Sequence, residues 1–114
     1  KLQRIGKIFV PSVGPGYDDT RVRPWNKHNV RDRKQGEYYN RMWGAAIESR
    51  PYAVSVTSYN EWGEGTQIEP AKPYKSWGGE KYMGYDPKLS DYYLKETKRW
   101  SDRFKEDQCG KAEL

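Results

Sequence analysis

Two glutamates three residues apart, Glu61 and Glu64, lie in the stretch Tyr59-Asn60-Glu61-Trp62-Gly63-Glu64-Gly65-Thr66-Gln67-Ile68-Glu69-Pro70, which also carries a third carboxylate, a Trp and an amide pair. Two carboxylates brought to one centre can divide acid–base work: one is protonated when a leaving group departs, and the other supplies help from the opposite side. Two close carboxylates resist ionising together, which suits such a division of roles. Gly63 and Gly65 allow backbone turns that a Cβ resists, so both acids can face the same point. The competing reading is a turn in which a carboxylate accepts backbone N–H groups and does no chemistry. Glu69 is read as a solvated or hydrogen-bonding residue.

Other chemistries find little support. His28 is the only histidine, so neither a Ser/His/Asp triad nor a two-histidine metal site can be assembled within the chain. Gly14-Pro15-Gly16 lacks the Lys-Ser/Thr of a phosphate-binding loop, and Cys109 has no internal partner. The net charge of +5 arises from 21 basic and 16 acidic residues that alternate along the chain, with no Arg-Gly or aromatic-sheet signature of nucleic-acid binding. No metal, cofactor or nucleic acid is therefore expected.

The elements that must position the acids follow from periodicity. Ala53 to Val56 is an apolar run that reads as a buried strand within 53–59, ending at the acidic loop. Upstream, Ile5 to Val13 is strand-like, centred on Ile8-Phe9-Val10, with Pro11 marking its end. Turn formers over 14–20 and a polar basic stretch from Arg21 to Lys34 follow, a functional loop or disorder. From Glu37 to Arg50, Tyr39, Met42, Trp43 and Ala46 fall on one helical face, whose plain reading is core packing, and Pro51 ends that helix. Strand, helix and strand form a βαβ unit with adjacent parallel strands. Lys72 to Lys88 reads as an irregular excursion. A second helix is expected from about Asp91 to Glu106, capped by Ser90 with Asp91 in its first turn and Tyr93, Thr97, Trp100 and Phe104 on one stripe; a polar, frayed tail follows over 107–114.

The acidic stretch resembles the Asn-Glu-Trp-His-Glu-Gly-Thr-Gln-Ile-Glu segment of glycoside hydrolase family 99, the endo-α-mannosidases and bacterial endo-α-mannanases. Val10-Pro11-Ser12-Val13-Gly14-Pro15-Gly16-Tyr17-Asp18-Asp19-Thr20-Arg21-Val22-Arg23-Pro24-Trp25-Asn26 is similar to another segment of that family, in the right order. The resemblance covers the chain from about Lys7 to Trp100. One departure is that Gly63 stands where many members carry His. The resemblance implies an α/β fold, the C-terminal βαβα portion of a (β/α)8 TIM barrel over 1–106. Such barrels run to roughly 250 residues with their chemistry on the strand-to-helix loops, so the chain is expected to be about a quarter of one.

By the same resemblance Glu61 is the base on an α-mannoside 2-hydroxyl and Glu64 the acid on the leaving oxygen. Asn60 and Tyr17 are candidates for bonds to sugar hydroxyls, Arg23 for orienting a carboxylate, and Trp25 or Trp62 for stacking on a pyranose face. The implied substrates are high-mannose N-glycans or α-mannan, cut without a cofactor. Animal members are Golgi membrane enzymes, so an anchor is expected outside this chain, as are the missing N-terminal barrel units. The alternative is a non-hydrolytic carbohydrate-binding protein on the same barrel.

Composition agrees with a chain that leans on something else. A 34% hydrophobic content and a mean hydropathy of −1.20 are low for a self-sufficient core, although ten Tyr and five Trp conceal apolar area. A chain of 114 residues buries only roughly two-thirds of its unfolded surface even when compact. Lys1 is not an initiator Met, and no apolar run is long enough for a signal peptide or a membrane span, which leads to the expectation of a fragment, inactive by itself.

Overall fold

The structure, a computed structural model, describes residues 5–72 and 84–112. Most of the excursion expected over Lys72 to Lys88, and the end of the 107–114 tail, lie outside the described residues. In chain order the elements are β1 (Ser12–Val13), 3-10 turns at Pro24–Asn29 and Lys34–Gly36, α1 (Glu37–Glu48), β2 (Ser55–Val56) and α2 (Tyr92–Ala112). The strands pair in parallel, Ser12 with Ser55 and Val13 with Val56, as a βαβ unit requires. Thr57 N–H donates to the Val13 carbonyl at 2.8 Å and Ser55 N–H to that of Pro11 at 3.0 Å.

Both strands are far shorter than their apolar runs. Pro11 precedes β1 instead of ending it, and Ile8 and Val10 are 67% and 45% exposed. Ala53 to Val56 is half-buried to exposed, not buried. The physical reason is a lack of neighbours: among the described residues each strand has one partner and one open edge, so the flanking residues have nothing to complete a ladder with.

The helices bear out their stripes. Tyr39, Trp43, Ala46 and Ile47 of α1 are buried against Tyr93 and Trp100 of α2, with Val13, Ile68 and Tyr85 completing the core. Met42 and Phe104 pack against this cluster from its margin. The core is chiefly aromatic: Trp43 stacks on Trp100 at 6.4 Å, Tyr93 meets Tyr39 edge-on at 5.6 Å, and Tyr85 meets Tyr93 at 4.7 Å. Such pairs contribute about 0.5–1.5 kcal/mol each beyond their buried area, which is how a chain of low mean hydropathy still holds two helices together. Two of the polar tips find partners, Tyr39 with Thr97 at 2.8 Å and the Trp100 indole N–H with Asn40 Oδ1 at 2.7 Å.

Helix α1 starts at Glu37 as expected and ends at Glu48, short of Arg50, while both ends of α2 differ from their expected places. Gly36 caps α1 with φ of +96°, and a Cβ there would overlap the Tyr92 hydroxyl, so only glycine lets the start of α2 lean on the start of α1. Helix α2 begins at Tyr92, which leaves Asp91 just outside it, paired with Lys95 at 2.8 Å. It runs to Ala112, well past Glu106, with Gln108 donating to the Pro51 carbonyl at 3.1 Å. A polar sequence continues a helix readily when its outer face needs no core. Among the described residues no helix is long and apolar enough to cross a membrane.

Candidate active site

The chain leaves β2 through a cis Thr57–Ser58 peptide and closes a loop on itself. Ser58 N–H donates to the Thr66 carbonyl at 2.9 Å, Ile68 N–H to the Tyr59 carbonyl at 2.9 Å, and Thr66 N–H to that of Glu61 at 3.2 Å. Inside this frame the Ser58 and Thr66 hydroxyls bond at 2.7 Å, and Ser58 Oγ accepts the Glu61 N–H at 3.0 Å. Glu61 to Glu64 is left as the tip. Gly65, with φ of +63°, turns the chain back; a Cβ there would lie 3.1 Å from Asp18 backbone atoms. Gly63 has no such φ, so of the two glycines only Gly65 supplies a left-handed turn.

The second motif segment docks on this tip. Asp18 N–H donates to the Glu64 carbonyl at 2.8 Å, Arg21 Nη2 to the Trp62 carbonyl at 2.7 Å, and Arg23 Nη1 stands 3.6 Å from Glu64 Oε1. The basic stretch over 21–34 is ordered: Tyr17 and Arg31 pair backbone to backbone at 2.9 and 2.8 Å, which folds it back over its own start. Both segments follow the carboxyl ends of adjacent parallel strands, the edge at which α/β sheets gather functional groups.

Each expected site residue has a definite place. Glu61 is exposed, and its Oε1 accepts the Gly63 N–H at 3.1 Å, the carboxylate–backbone bond that a plain turn also makes. Glu64 is half-buried beside Arg23. Tyr17 is half-buried, and its phenol is pushed up by its hydrogen bond to Asp19 and then by burial. The Trp62 indole N–H donates to Glu69 Oε1, so Glu69 is a hydrogen-bonding residue that orients Trp62. Asn60 is exposed, and Trp25, on the 3-10 turn, is 76% exposed and stands apart from these contacts.

Two residues at the centre of the arrangement escaped sequence reasoning. Asp19 is fully buried and accepts Arg23 Nη1 at 2.8 Å and Asn26 Nδ2 at 2.9 and 3.0 Å. Removal from water pushes its carboxyl up, but the hydrogen bonds from Arg23, Asn26 and Tyr17 outweigh that and hold it below the usual range. Arg23 is raised in turn, first by its hydrogen bond to Asp19. The signal for Asp19 was its place four residues before Arg23 in one motif.

Arg33, 4% exposed, donates from Nη2 to the Gly65 and Gln67 carbonyls at 2.9 and 2.8 Å, with its guanidinium over the Tyr85 and Tyr93 rings at 5.0 and 4.7 Å. It ties the returning limb of the acidic loop to the aromatic core. No local pattern marks it, because its partners lie 32 and 34 residues away. Among the described residues no cluster of three or more His, Cys, Asp or Glu could hold a metal ion.

The chain is similar to known proteins over nearly its whole length. Residues 2–106 match the profile of Glycosyl hydrolase family 99. The chain is 53% identical over 97 residues to a glycoprotein endo-α-1,2-mannosidase-like protein of Mus musculus, covering 85% of this chain and 21% of that one. It is 46% identical over 106 residues to the glycoprotein endo-α-1,2-mannosidase of Rattus norvegicus, covering 93% and 23%. The endo-α-mannosidase of this family from Bacteroides thetaiotaomicron, solved with bis-tris-propane, superposes with a TM-score of 0.90 at 50% identity, over 96% of this chain and 33% of that one. The chain therefore spans less than a quarter of these two curated relatives and about a third of the solved enzyme. With nearly all of its length aligned and its two segments meeting at one end of the strand pair, the chain belongs to glycosyl hydrolase family 99.

Proposed function

We propose that residues 1–106 form the C-terminal βαβα portion of a (β/α)8 barrel, with α2 continuing past that boundary to Ala112, in a retaining endo-α-1,2-mannosidase. Its substrate is a glucosylated high-mannose N-glycan, cut at an internal α-1,2-mannosidic bond. The observation that carries this reading is the meeting of the Glu61–Glu64 tip with Arg21 and Arg23 beyond two adjacent parallel strands. The likeness to mammalian endo-α-1,2-mannosidases supports the substrate class. About six further βα units of the same protein would complete the barrel, and a Golgi lumenal site with an anchor elsewhere follows if the source is an animal.

In an α-mannoside the 2-hydroxyl is axial and anti to the leaving group. Glu61 takes the proton of that hydroxyl, O2 attacks C1 from behind, and the bond from C1 to the leaving oxygen breaks as Glu64 delivers a proton to it. The product of this half-reaction is a 1,2-anhydro sugar. Glu64, now ionised, takes a proton from water, the water oxygen opens the three-membered ring at C1, and Glu61 returns its proton to O2. Two inversions give overall retention. Asn60 and Tyr17 hold sugar hydroxyls, Arg23 orients Glu64, and Trp62 or Trp25 offers a stacking face for a pyranose.

In the full-length protein, Glu61→Gln and Glu64→Gln each lower kcat on natural glycans by about 100- to 10,000-fold while sparing binding. A substrate with an activated leaving group needs no proton, so it rescues Glu64→Gln and leaves Glu61→Gln impaired. Equal rescue of both overturns the assignment of roles. A wild-type protein that binds the glycan and releases nothing is the carbohydrate-binding alternative.

A further inference from the structure

The acid–base scheme makes no use of Asp19, yet it is the only buried carboxylate among the described residues, with 0% exposure. Its oxygens serve three side chains of one short segment: Arg23, Asn26 and Tyr17. Its carbonyl also accepts the Val22 and Arg23 N–H groups at 2.9 and 2.7 Å, so the whole turn winds around it. A carboxylate removed from water is costly unless such partners surround it. The turn's other output is Arg23, whose Nη1 is bonded to Asp19 at 2.8 Å and faces Glu64 Oε1 at 3.6 Å. A guanidinium is a rigid plane, so fixing one nitrogen on a buried acceptor fixes the direction from which the charge meets Glu64.

We propose that Asp19 is a positioning residue for the cleavage step: it acts through Arg23 to hold the carboxyl group of Glu64 in line with the departing oxygen. The proposal rests on the reading of Glu64 as the proton donor. Asn at position 19 keeps the size but replaces one acceptor oxygen with an NH2 that cannot accept from Arg23 or Asn26. Misplacing a catalytic group by about 1 Å costs on the order of 100-fold in rate, so the effect belongs in kcat.

The test compares Asp19→Asn, Asn26→Ala and Glu64→Gln in the full-length protein, on a natural high-mannose glycan and on an α-mannosyl substrate with an activated leaving group. Asp19→Asn is expected to lower kcat on the glycan by about 10- to 100-fold with KM little changed, and most of that loss disappears on the activated substrate, as it does for Glu64→Gln. Asn26→Ala, which frees the Asp19 carboxylate from one side, shows the same pattern at smaller size. An Asp19→Asn protein that melts like the wild type and loses activity equally on both substrates, or loses none, overturns the proposal. If Asp19→Asn does not fold, Asn26→Ala decides: a loss confined to the glycan supports the proposal, and equal loss or no loss overturns it. Failure of the underlying reading is seen separately, because Glu64→Gln is then unrescued, and the role of Asp19 falls with it.

Discussion

Of the two glycines in the acidic loop, only Gly65 holds a backbone conformation that a Cβ resists, and substituting each in turn shows the difference. At Gly65 the backbone has φ of +63° and Asp18 backbone atoms stand 3.1 Å from where a Cβ would be, so Ala must either strain the turn or push the second segment away. Left-handed backbone costs about 1–2 kcal/mol for a residue with a Cβ, so Gly65→Ala is expected to lower stability by at least that amount in thermal or denaturant unfolding of the full-length protein. At Gly63 the backbone is ordinary, but a Cβ would stand 3.0 Å from Glu61 Oε1 and 3.5 Å from Val22 Cγ2. Gly63→Ala is expected to leave the unfolding midpoint and kcat nearly unchanged, because only the end of the exposed Glu61 side chain has to shift, and the resemblance places a His with its own Cβ at this position in many family members. A fall in stability like that of Gly65→Ala would show that Gly63 is a turn residue as well.

At the scale of elements, the acidic loop is held from behind by Arg33 and Tyr85. The Tyr85 hydroxyl lies 3.1 and 2.8 Å from the Gln67 and Glu69 carbonyls and donates toward both, so the Gln67 carbonyl is shared between Tyr85 and Arg33, and the Gly65 carbonyl is served by Arg33. Arg33→Met leaves the Gly65 carbonyl without its donor, at about 1–3 kcal/mol if it stays buried, while the Gln67 carbonyl keeps Tyr85. Arg33→Lys restores little, since an ammonium does not reproduce a planar fork stacked between two rings. Denaturant midpoints that rank wild type well above both variants are the expected outcome. Burial pushes the Tyr85 phenol from 10.0 to about 12, so folding favours its protonated form. That contribution is complete below about pH 10 and is lost as pH rises through 12. Unfolding measured at several alkaline pH values should show a slope there that Tyr85→Phe reduces.

At the scale of the whole molecule, the chain is extended, 56 × 30 × 19 Å, with a radius of gyration of 16.3 Å against about 13 Å for a compact domain near this length. Ile5, Ile8 and Val10 are exposed along the approach to β1, and among the described residues the strand pair is open at both edges. Such edges and apolar side chains need neighbours, which the remaining βα units of the proposed barrel would supply. The 114-residue chain alone is therefore expected to melt without a cooperative transition in circular dichroism, whereas the full-length protein melts sharply. A sharp melt of the chain alone would remove the barrel proposal while leaving family membership intact.

What the amino-acid order determined by itself was local and periodic. The stripe Tyr39, Met42, Trp43 and Ala46 and the stripe Tyr93, Thr97, Trp100 and Phe104 place the helices, because a period of 3.6 is written in neighbouring residues. The sequence also marked the two motif segments as candidates, each following a strand, while the roles of Glu61 and Glu64 came from the family resemblance and not from spacing. Only the tertiary structure decided how long the strands are, since a ladder ends where its partner ends and not where the apolar run does. It likewise decided that Arg33 and Asp19 matter. Arg33 is defined by carbonyls more than thirty residues away, and the weight of Asp19 comes from complete burial beneath partners that reach toward Glu64. Burial and long-range hydrogen bonding are properties of the packed chain, and no single segment carries them in its own sequence.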